Sequence, residues 1–168
     1  MVETERLVQS LAEELLSSTV IEYQGKKIDL SAPWTRLTVL DAFRQYADID
    51  LEPLLDDTER FRAAAREKGY EVADSDSFDD IFFRIFLRDI EPKLGLDKPV
   101  ILYEYPSHMA ALSRVKADDP RLAERFEAYV CGIELCNAFS ELTDASEQRR
   151  RLEKDQATRG ELGKEQFQ

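Results

Sequence analysis

Cysteine and histidine are nearly absent from this sequence: 168 residues carry two of the first and one of the second. A structural zinc centre needs more thiolates and imidazoles than that, and a disulfide framework needs more pairs. Cys131 and Cys136 fall on either side of a turn without facing each other, and read as small apolar strand residues. Long hydrophobic runs are missing too. Nothing approaches the ~20 residues of a membrane span, and the N-terminus from Met1 to Gln9 lacks a signal-peptide pattern. The expected location is the cytoplasm, with no membrane partner. Positive charge is scarce, with 23 Lys and Arg against 35 Asp and Glu and a formal net charge of −12. A domain that gripped a phosphate backbone by itself would want a basic face. The one basic cluster, Arg149-Arg150-Arg151, is interleaved with Glu147, Glu153 and Lys154 and reads as a mixed-charge, solvated helix face. Contact with tRNA through other parts of a larger protein stays open.

What the sequence does contain is a core: 43% hydrophobic residues, 10% of all residues aromatic, in a chain long enough for one domain. Leu7, Leu11 and Leu15 form the stripe of an amphipathic helix over 3–18. Val20–Tyr23 and Lys27–Leu30 flank Gln24-Gly25 as a hairpin, followed by Pro33-Trp34 in a loop. Thr38 with Asp41 opens a helix through Tyr46, and a second helix over 56–68 stops at Gly69. The strongest helical pattern covers 76–94, with Phe83, Phe86 and Leu87 widening its apolar face enough to predict burial on more than one side. Pro99–Tyr105 reads as a strand with Tyr103 and Tyr105 on one face, and 109–114 as a short strand. Thr143 or Asp144 caps a helix to about Thr158, and 159–168 is expected to fray. His108 is expected at the surface. The order predicts an α+β fold, an antiparallel sheet flanked by helices.

Val130-Cys131-Gly132-Ile133 has the form of a hairpin with a two-residue loop, Gly132 supplying a positive φ. With Val130 opposite Ile133, alternation sets Tyr129 against Glu134 and Glu127 against Cys136, all four on one face. Glu127 and Glu134 would then be diagonal neighbours, about 7–8 Å apart at Cα. Two like charges so placed favour a cation between them. Two exposed carboxylates on a solvated face are the alternative.

The spacing of Glu127 and Glu134, followed by Leu135-Cys136-Asn137-Ala138-Phe139-Ser140-Glu141-Leu142-Thr143-Asp144, resembles the class II lysyl-tRNA synthetases. It is similar above all to their shortened relatives, the elongation factor P lysine (β-lysine) ligases. Phe78–Leu87, Pro99–Ser107, Tyr23-Gln24-Gly25 and Pro33-Trp34 extend the likeness over most of the chain. The resemblance implies a class II synthetase fold, present in part across 1–168. It implies that Glu127 and Glu134 bind Mg2+ on the phosphates of ATP, and that Glu134 and Leu135 line the ATP site. Asn137 would hydrogen-bond the substrate amino acid, Phe139 would pack on its aliphatic stem, and Glu141 would pair with its side-chain ammonium, which away from water needs such a partner. Ala138 stands where the lysyl-tRNA synthetases usually have Gly, a methyl that narrows the pocket or is accommodated by it. The family's Phe-Arg-x-Glu strand and its late Gly-rich segment with an Arg are not found, so the chain resembles the middle of a catalytic domain. Arg114, Arg121 and Arg125 are the nearby candidates for an α-phosphate clamp. Without a built clamp the chain by itself is expected to be inactive.

The activity so implied is ATP-dependent formation of a lysyl (or β-lysyl) adenylate and ligation to an acceptor. The acceptor expected first is elongation factor P, and tRNA is the alternative. A third reading is a non-catalytic remnant that binds lysine, a nucleotide or a partner, including a second copy in a homodimer through exposed strand edges.

Overall fold

The computed structural model describes residues 1–161. Its centre is a four-stranded sheet in the order β3-β4-β5-β6, made of β3 (Thr35–Thr38), β4 (Val100–Pro106), β5 (Leu122–Val130) and β6 (Ile133–Phe139). β4, β5 and β6 are antiparallel, whereas β3 lies parallel to β4, from Thr35 opposite Val100 to Thr38 opposite Tyr103. The expected α+β fold is present, with one parallel pair added by β3, a strand between the Pro33-Trp34 loop and the helix start at Thr38 that the sequence does not signal. Four residues without clear alternation carry too little signal to be seen before their partner is known.

The hairpin of β1 (Val20–Tyr23) and β2 (Lys26–Asp29) forms a separate small sheet, turning at Gln24 and Gly25 with φ of 50° and 76°. Helices take their starts from their caps. Thr38 Oγ1 accepts the Asp41 N–H at 3.0 Å to open α2 (Val39–Ala47), and Asp57 caps α3 (Thr58–Glu67) through the Arg60 N–H. Ser77 and Asp80 form a reciprocal capping box at α4 (Phe78–Ile85). Such a cap contributes about 1 kcal/mol. The helix predicted over 76–94 is thus shorter as an α-helix: it runs on through a π-turn at Phe86–Ile90 and a 3₁₀ turn at Glu91–Lys93.

The main core lies between one face of the large sheet and α2, α3 and α4. Phe43, Phe61, Phe78, Phe82 and Phe86 interlock there over Val100, Leu102 and Tyr129. Phe83 and Leu87, expected to be buried, are exposed, Leu87 at 55%. The widened stripe exceeds the arc that the sheet covers. Likewise α1 (Val2–Leu16) does not bury its leucines; Leu15 is 75% exposed. It packs through Glu5, Val8 and Ala12 instead. Glu5 accepts the Trp34 N–H at 3.2 Å and pairs with Arg36, so a buried carboxylate rather than the leucine stripe orients this helix.

Two bulges depart from simple alternation. Glu104, at φ 64°, shifts the β4–β5 register, so Tyr103 joins the cluster around Trp34 while Tyr105 enters the main core on the opposite face. The two tyrosines predicted to share a face therefore do not. The segment 109–114 makes only an isolated bridge, Ser113 to Glu141, rather than a strand. Asp144 Oδ1 accepts the N–H groups of Ser146 and Glu147 and caps α5 (Ala145–Glu161). The helix includes 159–161, and the remainder of the tail expected to fray lies outside the described residues. His108 sits edge-on to Phe78, 4.5 Å between ring centroids.

Gly95, at φ 70°, lies so close to β5 that a Cβ there would stand 2.4 Å from the Tyr129 carbonyl oxygen, whereas a Cβ on Gly69, at φ 80°, would meet nothing within 4 Å. Gly69→Ala is expected to cost about 1 kcal/mol of left-handed strain alone. Gly95→Ala should cost well over ~2 kcal/mol because backbone must move as well. Urea unfolding of the two variants checks the order, and equal losses would refute it.

Candidate active site

The hairpin expected at 130–133 is present, with Val130 opposite Ile133 and Tyr129 opposite Glu134. Both loop residues are left-handed, Cys131 at φ 53° and Gly132 at φ 72°, as a two-residue turn of this hand requires. The loop docks on the end of the α4 segment. The Cys131 N–H donates to the Gly95 carbonyl at 2.8 Å and the Gly132 N–H to that of Leu94 at 2.7 Å.

Beyond the first two pairs the register shifts. Ala128 faces Cys136 and Glu127 faces Asn137, so β6 has one residue more than its partner at Leu135. The expected pairing of Glu127 with Cys136 is corrected accordingly. Cys136 turns to the other face, beside Trp34, Ile101 and Ala128, while Asn137 takes its place next to Glu127. The bulge thus brings together Glu127, Asn137 and Phe139, which uninterrupted alternation from Glu134 would have set on opposite faces.

Glu127 is 5% exposed and is held by four donors. Its Oε2 accepts Tyr105 Oη at 2.5 Å and Tyr129 Oη; its Oε1 accepts Arg125 Nη2 at 2.5 Å and Asn137 Nδ2 at 3.3 Å. A carboxylate offers about four lone-pair directions, and here each has a partner. Burial, and then the charge of Glu127, raise the Tyr105 and Tyr129 hydroxyls well above their ordinary pKa, so both remain neutral donors. Arg125 also stacks over the Tyr105 ring at 4.5 Å and donates to the Met109 carbonyl at 3.0 Å.

Glu134 differs. It is exposed as a residue, but partial desolvation of its carboxylate, and next the charge of Glu127, push its pKa up, with Glu91 adding to the effect. Glu91 is raised by burial and then by Glu127. Mg2+ takes oxygen ligands in octahedral geometry, keeps several waters and commonly uses one or two carboxylates beside substrate phosphates. Glu134 fits that part, an accessible carboxylate in a field that favours a cation. Glu127 has no free lone pair in this arrangement. Among the described residues no group of three or more His, Cys, Asp and Glu could hold a metal without phosphate oxygens. Leu135, on the bulge of the edge strand, is 50% exposed.

Asn137 and Phe139 line a cavity of about 190 Å³ with Arg125 and the 109–113 loop. Pockets for drug-sized ligands run to ~300–1,000 Å³; this one is of a size for a single side chain. Glu141 lies beside it, its backbone bridged to Ser113 of the same loop. Ala138 faces the other way, opposite Phe126, and lines a separate cavity of about 580 Å³. Its methyl therefore does not narrow the pocket of Asn137 and Phe139. The proposed clamps are all engaged: Arg114 with Glu124, Arg121 with Asp119, and Arg125 with Glu127. Alternation in the sequence sets Tyr129 on the face of Glu127 but does not bring Tyr105 or the 109–113 loop there. Tyr105 arrives through the irregularity at Glu104, and no residue pattern announces it or the bulge at Leu135.

The sequence pattern of the tRNA synthetases class II (D, K and N) matches residues 1–168. The chain is 39% identical over 150 residues to a lysine–tRNA ligase of Pelotomaculum thermopropionicum, covering 89% of this chain and 29% of that protein. Against the lysine–tRNA ligase of Moorella thermoacetica it is 39% identical over 155 residues, 92% of this chain and 31% of the relative. Against that of Staphylococcus aureus it is 35% identical over 150 residues, covering 89% and 30%. The chain spans about three-tenths of the length of these relatives.

Neutralising the two carboxylates is expected to have opposite effects on stability. The folded state holds the Glu134 proton more tightly than the unfolded chain does. The stability this gives is complete below the ordinary carboxylate pKa and is lost as pH rises through the elevated value. Glu134→Gln is therefore expected to raise the Tm at pH 7, by an amount that shrinks toward pH 4. Glu127→Gln leaves a buried donor facing a donor and should destabilise by at least ~1–3 kcal/mol at neutral pH. Calorimetric melts at both pH values check this, and a lower Tm for Glu134→Gln at pH 7 would contradict it.

Proposed function

The chain belongs to the class II tRNA synthetases (D, K and N), and on that premise we propose that it forms the amino-acid side of a lysine–tRNA ligase active site. The activity is ATP-dependent activation of lysine followed by transfer to tRNA. The observation that carries the reading is the pocket of Asn137, Phe139 and the 109–113 loop, a side-chain-sized cavity with an amide and an aromatic wall beside Glu141. Its partners in sequence are lysine–tRNA ligases, which favours tRNA over elongation factor P as acceptor and α-lysine over β-lysine as substrate.

Each residue then has a task. Phe139 packs against the methylene stem, and Asn137, oriented by Glu127 and Arg125, offers its amide to the polar end of the substrate. Glu141 supplies a counter-charge for the ammonium, because a cation taken from water into a pocket needs one. Glu134, with Leu135 beside it, faces the nucleotide and contributes a carboxylate to Mg2+ carried on its phosphates. Bound there, the metal would neutralise phosphate charge as the bond to the α-phosphorus forms. Glu127 holds the constellation in place from beneath. It would meet a metal itself only by releasing one of its four donors.

Titrating the chain with L-lysine and with norleucine, which keeps the stem and lacks the ammonium, tests the reading by NMR. Lysine should bind at least ~10-fold more tightly, since the neutral analogue forgoes the charge-assisted contact to Glu141. Phe139→Ala should weaken lysine binding, and Glu141→Gln should erase the preference for lysine over norleucine. Equal affinity for the two ligands in the unmodified chain would overturn the assignment.

A further inference from the structure

The wall of the substrate pocket, residues 109–113, leaves a 3₁₀ turn at Ser107–Met109 and forms no strand beyond the single bridge of Ser113 to Glu141. Its backbone turns through Ala110 N–H to Ser107 carbonyl at 3.2 Å and Ser113 N–H to Ala110 carbonyl at 3.0 Å, and the Leu142 N–H reaches the Leu112 carbonyl at 3.0 Å. Carbonyl oxygens that point out of so short a loop need donors from elsewhere. One comes from Arg125, whose Nη1 donates to Met109. The others come from α5, far along the chain. Arg151 Nη1 lies 3.3, 3.1 and 3.0 Å from the carbonyl oxygens of Ala110, Ala111 and Ser113. Its Nε is bound by Glu147 Oε1 at 2.8 Å, one turn back on the same helix, which fixes the plane of the guanidinium.

The contrast with its neighbour is direct. Arg150 pairs with the same Glu147 but its side chain is 72% exposed, whereas that of Arg151 is 17% exposed and lies under the loop. The run of three arginines, which reads in sequence as part of one mixed-charge, solvated helix face, therefore divides between solvent and the loop.

We propose that Arg151 is a positioning residue for amino-acid binding: it holds the 109–113 loop as the pocket wall against which Asn137 and Phe139 close. This rests on the reading of that pocket as the lysine site. Charge-assisted hydrogen bonds from a guanidinium are among the stronger polar contacts, and a lysine ammonium cannot reproduce the planar fork. A wall displaced by about 1 Å is enough to cost roughly 10- to 100-fold in a process that depends on alignment. α5 thereby contributes to a site that none of its described side chains lines.

Arg151→Met, Arg151→Lys and the control Arg150→Met test this by two independent readouts in the intact chain. The first is amide hydrogen exchange at Ser113 and Leu142, which involves no ligand. Arg151→Met is expected to speed exchange at both, Arg151→Lys less so, and Arg150→Met not at all. Unchanged exchange in Arg151→Met would overturn the strut whatever lysine does. The second is lysine affinity by NMR titration, expected to fall at least ~10-fold in Arg151→Met, with partial rescue by Arg151→Lys. Faster exchange with undiminished lysine affinity would reduce Arg151 to a structural part and overturn its positioning role. Should the unmodified chain bind no lysine, the assignment of the pocket fails, and the positioning role falls with it even where the exchange result upholds the strut. If Arg151→Met does not fold, the Arg151→Lys exchange and affinity values decide by the same signs.

Discussion

A buried carboxylate must be surrounded by donors or it does not stay charged, and Glu127 imposes that demand on everything around it. Two tyrosine hydroxyls, one guanidinium and one amide converge on its two oxygens. They come from β4, β5 and β6, so the carboxylate ties three strands together through side chains as well as through the ladder. The bulge at Glu104 turns Tyr105 toward it, and the bulge at Leu135 does the same for Asn137. Removing either irregularity would leave an unmet acceptor in a core that Phe86 and Tyr129 help to close. The left-handed Gly95 and the docked 131–132 loop serve the same end by pressing the hairpin onto the helix end that carries Glu91.

Much of this was legible in the sequence because it rests on local chemistry. Gly132 sets the hairpin, Thr38 and Ser77 start helices, Asp144 caps α5, and Gly69 and Gly95 fall where helical segments stop. Each is fixed by residues within a few positions of one another. The candidate site residues are spread along the β5–β6 hairpin: Glu134 near the turn, Glu127 and Asn137 midway, Phe139 at the far end of β6 and Glu141 just beyond it. What alternation could not supply was their facing. Counting by twos from Glu134 groups Glu127 with Cys136, and a single extra residue at Leu135 exchanges Cys136 for Asn137. Alternation also failed at Tyr103 and Tyr105, where the left-handed Glu104 between them turns the strand and the extra residue lies on β5.

Periodicity located the helices but did not say which side is buried. In α1 the leucine stripe is outward and Glu5 is inward, because a carboxylate that finds Arg36 and the Trp34 N–H outweighs three leucines with no facing surface among the described residues. The Arg149–Arg151 run shows the complementary case. Charge pattern alone assigns all three to solvent, yet backbone carbonyls of a loop that lies far off in sequence take one of them in. Polar groups in irregular segments create such demands, and they are invisible until the segment's path is known.

The net charge of −12 then has a place in the argument. Among the described residues lining the small pocket Arg125 is the one that is charged, and by itself it would repel a cationic substrate. Its charge is cancelled by Glu127 at 2.5 Å, so the pocket adjoins Glu141 without a standing positive field. The buried pair thus does two things at once: it satisfies the carboxylate that organises the sheet, and it makes the cavity electrostatically permissive for an ammonium. On the proposed reading, the same negative surroundings oppose a bare polyphosphate and would favour, at the accessible carboxylate of Glu134, a nucleotide that arrives with its own divalent cation. Burial of one carboxylate and exposure of the other, seven positions apart on one hairpin, give the two opposite parts to play: one organises the sheet, the other faces solvent.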